Sequence, residues 1–219
     1  MKLRRRLGIG ARRQRQFVRA MEVGLVAMLV GGVLLRDTGM IVNAALALAV
    51  VQLPAVLQRD YGLVVDAGLT LWLTTAVTLH AVGTLAVGEW SLYEAVWWYD
   101  HLTHALSASI VAAAGYTTAR VFDVHYDAVR LPAPFMFAFI LVFTIAAGVL
   151  WEVLEFLLAR ASTALGGSAV LVQYGLGDTM LDLVFNTVGA VLVATFGTAH
   201  LASVVEAVSD RLGGRSTDP

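Results

Sequence analysis

Residues 135–159 read FMFAFILVFTIAAGVLWEVLEFLLA, a run of 25 residues that contains two charges, Glu152 and Glu155. A membrane-spanning helix needs about 20 mainly apolar residues, because lipid offers no partner for an unpaired backbone N–H or C=O group. Comparable stretches occur at 18–35, 41–57, 63–87, 100–119 and 179–201. The sequence therefore predicts an all-α polytopic transmembrane helical bundle of about six spans.

The composition of the whole chain supports the same class. The 219 residues are 58% hydrophobic and 14% charged, with a mean hydropathy of +0.76. Such values are typical of a chain whose solvent is lipid, and they exclude a soluble, disordered or collagen-like protein and a disulfide scaffold. The absence of cysteine also excludes thiolate metal sites, cysteine nucleophiles and redox pairs.

The basic residues are distributed unevenly, and 8 of the 15 fall in the first 19 positions. Cytoplasmic loops carry the excess of Lys and Arg. With the N-terminus inside, the inner segments hold 13 basic residues, and the outer side holds Arg36 and Arg160. We therefore predict an N-in, C-in multi-pass protein of the cell membrane. Its parts are a basic cytoplasmic segment (1–17), a six-helix transmembrane domain (18–201) and a polar cytoplasmic tail (202–219).

The basic N-terminal segment precedes an apolar run, so we interpret it as an anchor beside anionic lipid headgroups rather than as a nucleic-acid-binding segment. Membrane lipids are the expected partners, and no nucleic acid is expected. The outer connection 88–99 carries three Trp and two Tyr residues and no Lys or Arg, which is typical of the aromatic belt at a membrane interface. The sequence leaves the oligomeric state open.

Polar residues collect at three predicted outer helix ends, within YDHLTH (99–104), WEVLEF (151–156) and GDTMLDLVFNTVG (177–189). A charge at mid-membrane costs roughly 2.5–3.5 kcal/mol on insertion scales, so its position carries information. Residues three or four apart share a helix face. Three such sets follow this spacing: Asp100 with His104 and Ser107, Glu152 with Glu155, and Asp178 with Asp182 and Asn186. We expect a polar pocket between spans four, five and six that opens outward.

Simpler interpretations exist for several of these residues. Asp100 and Asp178 could be helix N-caps, worth about 1 kcal/mol each. Capping cannot explain Glu152 and Glu155, because a negative charge near a predicted helix C-terminus is disfavoured by the helix dipole. His80 is expected to be a packing residue. Four glycines are expected to mark close helix contacts: Gly31, Gly32, Gly115 and Gly189.

The order of these motifs over the last 120 residues resembles that of the YjdF-like integral membrane proteins. It is more faintly similar to the VanZ-like group, in which an Asp and a His on one helix precede a Glu, an Arg and an Asp-Asp-Asn-Gly series. The corresponding positions here are Asp100, His104, Glu152 or Glu155, Arg160, Asp178, Asp182, Asn186 and Gly189. The resemblance supports the fold and the location of the site, and it implies no particular activity.

The first functional hypothesis is a metal-dependent hydrolase or transferase acting on a lipid-type substrate at the outer leaflet. Carboxylates with imidazoles suit Mn, Fe(II), Zn or Mg, and paired acids could hold two ions. The predicted metal ligands are His104, Glu152, Glu155 and Asp182. The predicted catalytic residues are Asp100, which would orient His101 or His104, together with His101, Glu155, Asp178 and Asn186. Arg160 would bind a phosphate headgroup or a related ligand.

Two other hypotheses stay open. The acids and histidines could form the relay of a proton- or ion-coupled transporter, although the sequence shows neither an inverted repeat nor matching charges in the inner halves. Alternatively, the polar side chains could serve a structural role by hydrogen bonding between helices. Such bonds average about 0.6 kcal/mol in measured cases, which is too little to offset the insertion of five acids.

Overall fold

The computed structural model describes residues 10–63, 65–87, 90–164, 170–171 and 173–215. Part of the predicted basic segment (1–9) and the end of the predicted tail (216–219) lie outside the described residues. The described chain is helical apart from loops and one small hairpin. Its helices are α1 (Ala11–Leu35), α2 (Thr38–Val51), α3 (Leu53–Tyr61), α4 (Ala67–Gly83), α5 (Leu92–Ala95), α6 (Tyr99–His125), α7 (Ala133–Ala164), α8 (Leu176–Leu192) and α9 (Thr198–Arg215).

Two features complete the secondary structure. The strands β1 (Ala86–Val87) and β2 (Trp90–Ser91) pair antiparallel, with Ala86 opposite Ser91. A π-helical turn, Val193–Gly197, joins α8 to α9, so that helical structure continues from Leu176 to Arg215. The predicted sixth span therefore lies within a much longer helical run.

Each of the six predicted spans overlaps helical structure, but the third, predicted over 63–87, contains a helix only at Ala67–Gly83 and ends in β1. Among the described residues, four helical runs are long and apolar enough to cross a membrane: Ala11–Leu35, Thr38–Tyr61, Ala133–Ala164 and Leu176–Leu212. The α4 helix is apolar but has only 17 residues. The α6 helix has 27 residues, but the two histidines and several hydroxyl groups in its first half lower its hydropathy. The structure thus supports a helical membrane protein with at least four candidate spans.

The described residues divide into two compact units. The first unit comprises residues within Met1–Tyr99 and Leu158–Val172, and its core is formed by α1, α2 and α4. Leu25 and Met28 of α1 are buried with Ala44 and Ala47 of α2 and Ala81 of α4. Small residues on α2 and α4 allow the helix backbones to approach closely, as is usual where helices pack in lipid.

Glycines show how close this packing is in the first unit. A Cβ atom added to Gly32 of α1 would lie 3.0 Å from the backbone nitrogen of Ile41 in α2. At Gly31 the same addition would meet Met40 at 3.0 Å. The predicted contacts at these two glycines are therefore confirmed. The two helices are joined by a short turn at Arg36, which has a positive φ of 57°.

The second unit comprises residues within Asp100–Leu157 and Gln173–Pro219. Its helices meet at two predicted glycine contacts: a Cβ on Gly189 of α8 would lie 2.3 Å from the Ala105 carbonyl oxygen of α6, and one on Gly115 would lie 2.6 Å from the Phe143 ring of α7. The third contact, between α7 and α8, forms at Gly148, where an added Cβ would lie 2.5 Å from Nδ2 of Asn186. Three helices of this unit therefore contact one another pairwise.

Candidate functional site

The centre of the polar cluster is formed by α6 and α8. Asp100 and His104 are one helical turn apart on α6, and Nε2 of His104 lies 3.5 Å from Oδ1 of Asp100. Asp182 of α8 completes the group, because its Oδ1 lies 3.7 Å from the same His104 nitrogen. One ligand atom from each of these three residues lies within 4.8 Å of the others. The helical spacing of Asp100 and His104 thus presents both side chains to the polar face of a second helix.

Asp182 is the most deeply buried member of this group, with 1% of its surface exposed. Its Oδ1 has no hydrogen-bond partner among the described residues. Two imidazole nitrogens are nearby: Nε2 of His104, and Nδ1 of His101 at 3.9 Å. A buried carboxylate oxygen without a hydrogen bond is costly, so the group requires a compensating charge or a proton.

His101 is positioned by an aromatic side chain from α8. Its ring stacks on Phe185, with a centroid separation of 4.6 Å and an interplanar angle of 2°. Phe185 is three residues beyond Asp182 and therefore lies on the same side of α8. The stacking thus fixes the imidazole plane beside the Asp182 carboxylate.

Three more carboxylates lie close to this group. Glu152 and Glu155 of α7 are buried, with exposures of 4% and 8%, and Asp178 occupies the first turn of α8. The charge of Asp182 interacts with those of Asp100, Asp178, Glu152 and Glu155. Oε1 of Glu155 accepts a hydrogen bond from the Trp151 indole at 2.8 Å. The five acids singled out from the sequence are therefore brought together within the second unit.

Asn186 lies one turn beyond Asp182 and is also buried, at 4% exposure. Its side-chain amide packs against Gly148, whose missing side chain leaves room for it. Thr144, one turn before Gly148, is buried as well. Asn186 thus lies where α7 and α8 approach each other, and the structure assigns it no chemical role.

Other residues singled out from the sequence lie elsewhere. Ser107 is exposed, so it does not extend the polar face of Asp100 and His104. Arg160 is exposed and belongs to the first compact unit. His80 also belongs to the first unit, where its Nδ1 and the Tyr93 hydroxyl form a hydrogen bond of 2.9 Å. This contact agrees with the interpretation of His80 as a packing residue.

Two details of the helix ends differ from the predictions. The α7 helix continues to Ala164, five residues beyond the predicted end, so Glu152 and Glu155 lie inside the helix rather than at its C-terminus. Asp178 is not an N-cap: the cap of α8 is Gly175, and Asp178 accepts a hydrogen bond from the Tyr174 N–H at 3.3 Å. Neither glutamate is stabilised or destabilised much by the helix dipole, which acts within the terminal turns.

The sequence interpretation missed three contributors to the cluster: Trp151, Phe185 and Gly148. Trp151 and Phe185 are indistinguishable in sequence from lipid-facing aromatic residues. A signal was present nevertheless, because Trp151 precedes Glu155 by four residues and Phe185 follows Asp182 by three, which are spacings that place side chains on a common face. Gly148 lies one turn before Glu152, where it could have been expected to mark a helix contact.

The fold and the polar cluster together define a helical integral membrane protein with buried carboxylates and half-buried imidazoles. Residues 17–203 match the model of a family described as predicted membrane protein (DUF2238). The chain belongs to this family, which is the YjdF-like family resembled by its motifs.

A Thermotoga maritima protein described as an uncharacterized protein is similar to this chain. The two are 30% identical over 125 residues, which cover 57% of this chain and 58% of that protein. The chain therefore matches less than two thirds of the length of this relative. No solved structure matches the chain.

Proposed function

We propose that this protein binds a divalent metal ion through Asp100, His104 and Asp182 and uses it for hydrolysis or group transfer on a lipid-type substrate. The observation that carries the proposal is the convergence of three ligand atoms to within 4.8 Å of one another. The burial of Asp182 adds weight, because an ion would compensate a carboxylate oxygen that otherwise lacks a hydrogen bond.

The distances are compatible with such an ion. A metal held at about 2.1 Å from each ligand separates neighbouring ligand atoms by about 3.0 Å in an octahedron and about 3.4 Å in a tetrahedron. The His104 nitrogen lies 3.5 Å from Asp100 Oδ1 and 3.7 Å from Asp182 Oδ1. Movements of a few tenths of an ångström would therefore bring His104 to bonding geometry with each carboxylate. The two carboxylates, whose ligand atoms lie within 4.8 Å of each other, would have to approach by up to about 1–2 Å.

The ligand types narrow the choice of metal. Two carboxylates and one imidazole suit Mn, Fe(II) or Zn, and an oxygen-rich environment also accepts Mg. Three protein ligands leave coordination positions for water and substrate, as catalytic sites do. When bound, such an ion supplies Lewis-acid activation of a water molecule or of a substrate oxygen.

The neighbouring residues can move the protons that hydrolysis requires. Glu155, held by the Trp151 indole, is the proposed base that takes a proton from water as the water oxygen bonds to the phosphorus or carbonyl carbon of the substrate. The bond to the leaving oxygen then breaks. His101, fixed by Phe185, is the proposed acid that returns a proton to that oxygen.

The proposal includes the arrangement of the protein in the membrane. The helices in all six predicted spans are proposed to cross the cell membrane, with both termini in the cytoplasm. The basic residues of the loops and terminal segments divide 13 to 2 in favour of that side. The cluster then lies near the outer leaflet. A role for Arg160 in binding a headgroup and the similarity to the VanZ-like group stay predictions.

Metal content tests the proposal directly. The full-length protein, purified in detergent and equilibrated with Mn²⁺, is expected to retain at least one ion per chain after desalting. Asp182→Asn and His104→Gln should each lose one ion per chain, because each substitution removes a ligand. Asp127→Asn, which changes an exposed carboxylate in a loop, is the matched control and should keep the wild-type content. Equal metal content in all four proteins, or none in the wild type, would contradict the proposal.

Proton- or ion-coupled transport is the second candidate function. The observation that favours it is the gathering of five carboxylates and two histidines in one unit, more titratable groups than a single metal site uses. Buried acids of this kind mark proton relays in many membrane proteins. In vesicles reconstituted with metal-free protein, a pH gradient would then drive a flux of protons or of a coupled ion. Glu155→Gln should abolish this flux.

A further inference from the structure

We infer that Arg12, Arg15 and Arg19 of α1 form a docking surface for the headgroup of an anionic phospholipid. The sequence indicates a general attraction between the basic segment and anionic lipids, and the helix confines part of it to one face. Because α1 begins at Ala11, these arginines are helical and follow one another at spacings of three and four. Such spacings place them on a common side, which we call the arginine face. The inference needs only that α1 lies in the membrane, so it is independent of the proposed metal site.

The arginine face lies away from the protein that packs on α1. Its three side chains are exposed, whereas the buried positions of α1 follow another side of the helix: Gln14, Val18, Leu25, Met28 and Gly32. None of the three guanidinium groups forms an ion pair or a hydrogen bond with another described residue. This includes Glu22, the one acid of α1, which lies three residues beyond Arg19. The three positive charges are therefore open to a ligand.

The length of α1 brings these charges to the level of the headgroups. The helix Ala11–Leu35 is a candidate membrane span. At 1.5 Å per residue, Arg19 lies about 24 Å from Leu35 along the axis, which is slightly less than the hydrocarbon thickness of about 30 Å. The Arg19 side chain is thus expected to extend toward the headgroups, as long basic side chains do near helix ends. Arg15 and Arg12 follow about 6 Å and 10 Å farther out, so the arginine face extends across the headgroup layer.

The surroundings of the arginine face favour a lipid over a soluble anion. Phe17 lies between Arg15 and Arg19 along the chain, and its side chain is 54% exposed. An apolar ring at this depth is stable against acyl chains and unfavourable in water. Guanidinium groups bind phosphate oxygens bidentately, and three of them favour a headgroup that carries no compensating ammonium group. A phospholipid with a net negative charge supplies both the acyl chains and the phosphate.

Native mass spectrometry of the full-length protein in detergent tests this inference. The probes are phosphatidylglycerol and phosphatidylcholine of equal chain length, added in equal amounts. The first phosphatidylglycerol should bind to the wild type at least tenfold more tightly than the first phosphatidylcholine. Arg15→Gln and Arg19→Gln should each weaken phosphatidylglycerol binding by about fivefold at low salt, as expected for the loss of one basic residue at a membrane surface.

Arg13→Gln is the matched control. Arg13 is also exposed and lies beside Arg12 in the chain, but about 100° around the helix from it, so it is outside the arginine face. Its substitution removes the same charge and should change the affinity by less than twofold. The four basic residues at positions 2–6 are present in every variant, so they cannot produce a difference between the variants.

Three results would overturn the inference. An equal loss of affinity in Arg13→Gln would show that the attraction depends on net charge alone. Equal binding of the two lipids by the wild type would show no preference for an anionic headgroup. Binding of a short RNA that Arg15→Gln abolishes, with lipid binding unchanged, would assign the arginine face to a nucleic acid. If the glutamine variants do not accumulate in the membrane, Arg15→Lys and Arg13→Lys replace them, and Arg15→Lys alone should weaken binding because lysine cannot hold a phosphate bidentately.

Discussion

The imidazole of His101 and the ring of Phe185 lie face to face, 4.6 Å apart and within 2° of parallel. The contact joins α6 to α8 and holds Nδ1 of His101 3.9 Å from Oδ1 of Asp182. Aromatic stacking contributes about 0.5–1.5 kcal/mol beyond the burial of area. The stacking therefore stabilises the contact between α6 and α8 and also positions the His101 imidazole beside Asp182. Experiments can separate these two effects.

Phe185→Leu removes the stacking but keeps an apolar side chain. We expect the free energy of unfolding to fall by about 0.5–1.5 kcal/mol, measured by thermal denaturation in detergent. Because Phe185 is not a ligand, the number of Mn²⁺ ions bound at saturation should not change. Phe196→Leu, at a position that is 74% exposed, is the control and should leave stability unchanged. A loss of bound ions in Phe185→Leu alone would mean that the ring has a larger role in the site.

The contact at Gly189 predicts a strong steric effect. A Cβ there would lie 2.3 Å from the Ala105 carbonyl oxygen, which is backbone and cannot move aside by a change of rotamer. Gly189→Ala should therefore destabilise the protein by about 1–3 kcal/mol or more and lower the yield of folded protein. Gly177→Ala is the matched control, because an added Cβ there meets nothing within 4 Å. Similar melting temperatures for the two variants would show that α6 and α8 do not approach so closely.

Metal binding should depend on pH in one direction. Carboxylate and imidazole ligands must be deprotonated to bind an ion, so protons compete with the metal. The affinity for Mn²⁺ should fall as the pH is lowered from 8 to 5, by about tenfold per pH unit for each proton released. Titration calorimetry in buffers of different ionisation enthalpy would count those protons. An affinity that does not change with pH would indicate ligands other than these side chains.

The proposed orientation can be tested by chemical labelling, because the native chain has no cysteine. Ala95→Cys places a thiol on the exposed end of α5, in the predicted outer connection, and Asp127→Cys places one in the predicted inner loop. In intact cells an impermeant thiol reagent should label the first variant and not the second. Permeabilised cells should allow both to react. The reverse pattern would invert the topology and place the cluster on the cytoplasmic side.

The positions of the helices could be predicted because apolar runs of about 20 residues permit few alternatives in lipid. Their ends could not, because hydropathy does not report where a helix stops outside the membrane. The first helix begins at Ala11 rather than at residue 18, since the Arg and Gln residues before the apolar run are good helix formers. At the other end of the chain, helical structure extends to Arg215, beyond the predicted end of the sixth span at residue 201.

The grouping of polar residues could be predicted from spacing, because Asp100 and His104 must share a face and buried charges must find each other. Which three of these side chains lie closest together could not be predicted. The sequence predicts Glu152 and Glu155 among the metal ligands and Asp100 as an orienting residue, whereas the structure places Asp100 with His104 and Asp182. That difference depends on how the helices pack against one another, which the spacing of residues within a single helix does not determine.

The most direct test of the metal site is a structure of the full-length protein equilibrated with Mn²⁺, with anomalous diffraction recorded at the manganese absorption edge. We expect an anomalous peak within about 2.5 Å of a side-chain atom of each of Asp100, His104 and Asp182, and no peak at that position in Asp182→Asn. A map without a peak between these three residues, at saturating Mn²⁺, would contradict the assignment of the cluster as a metal site.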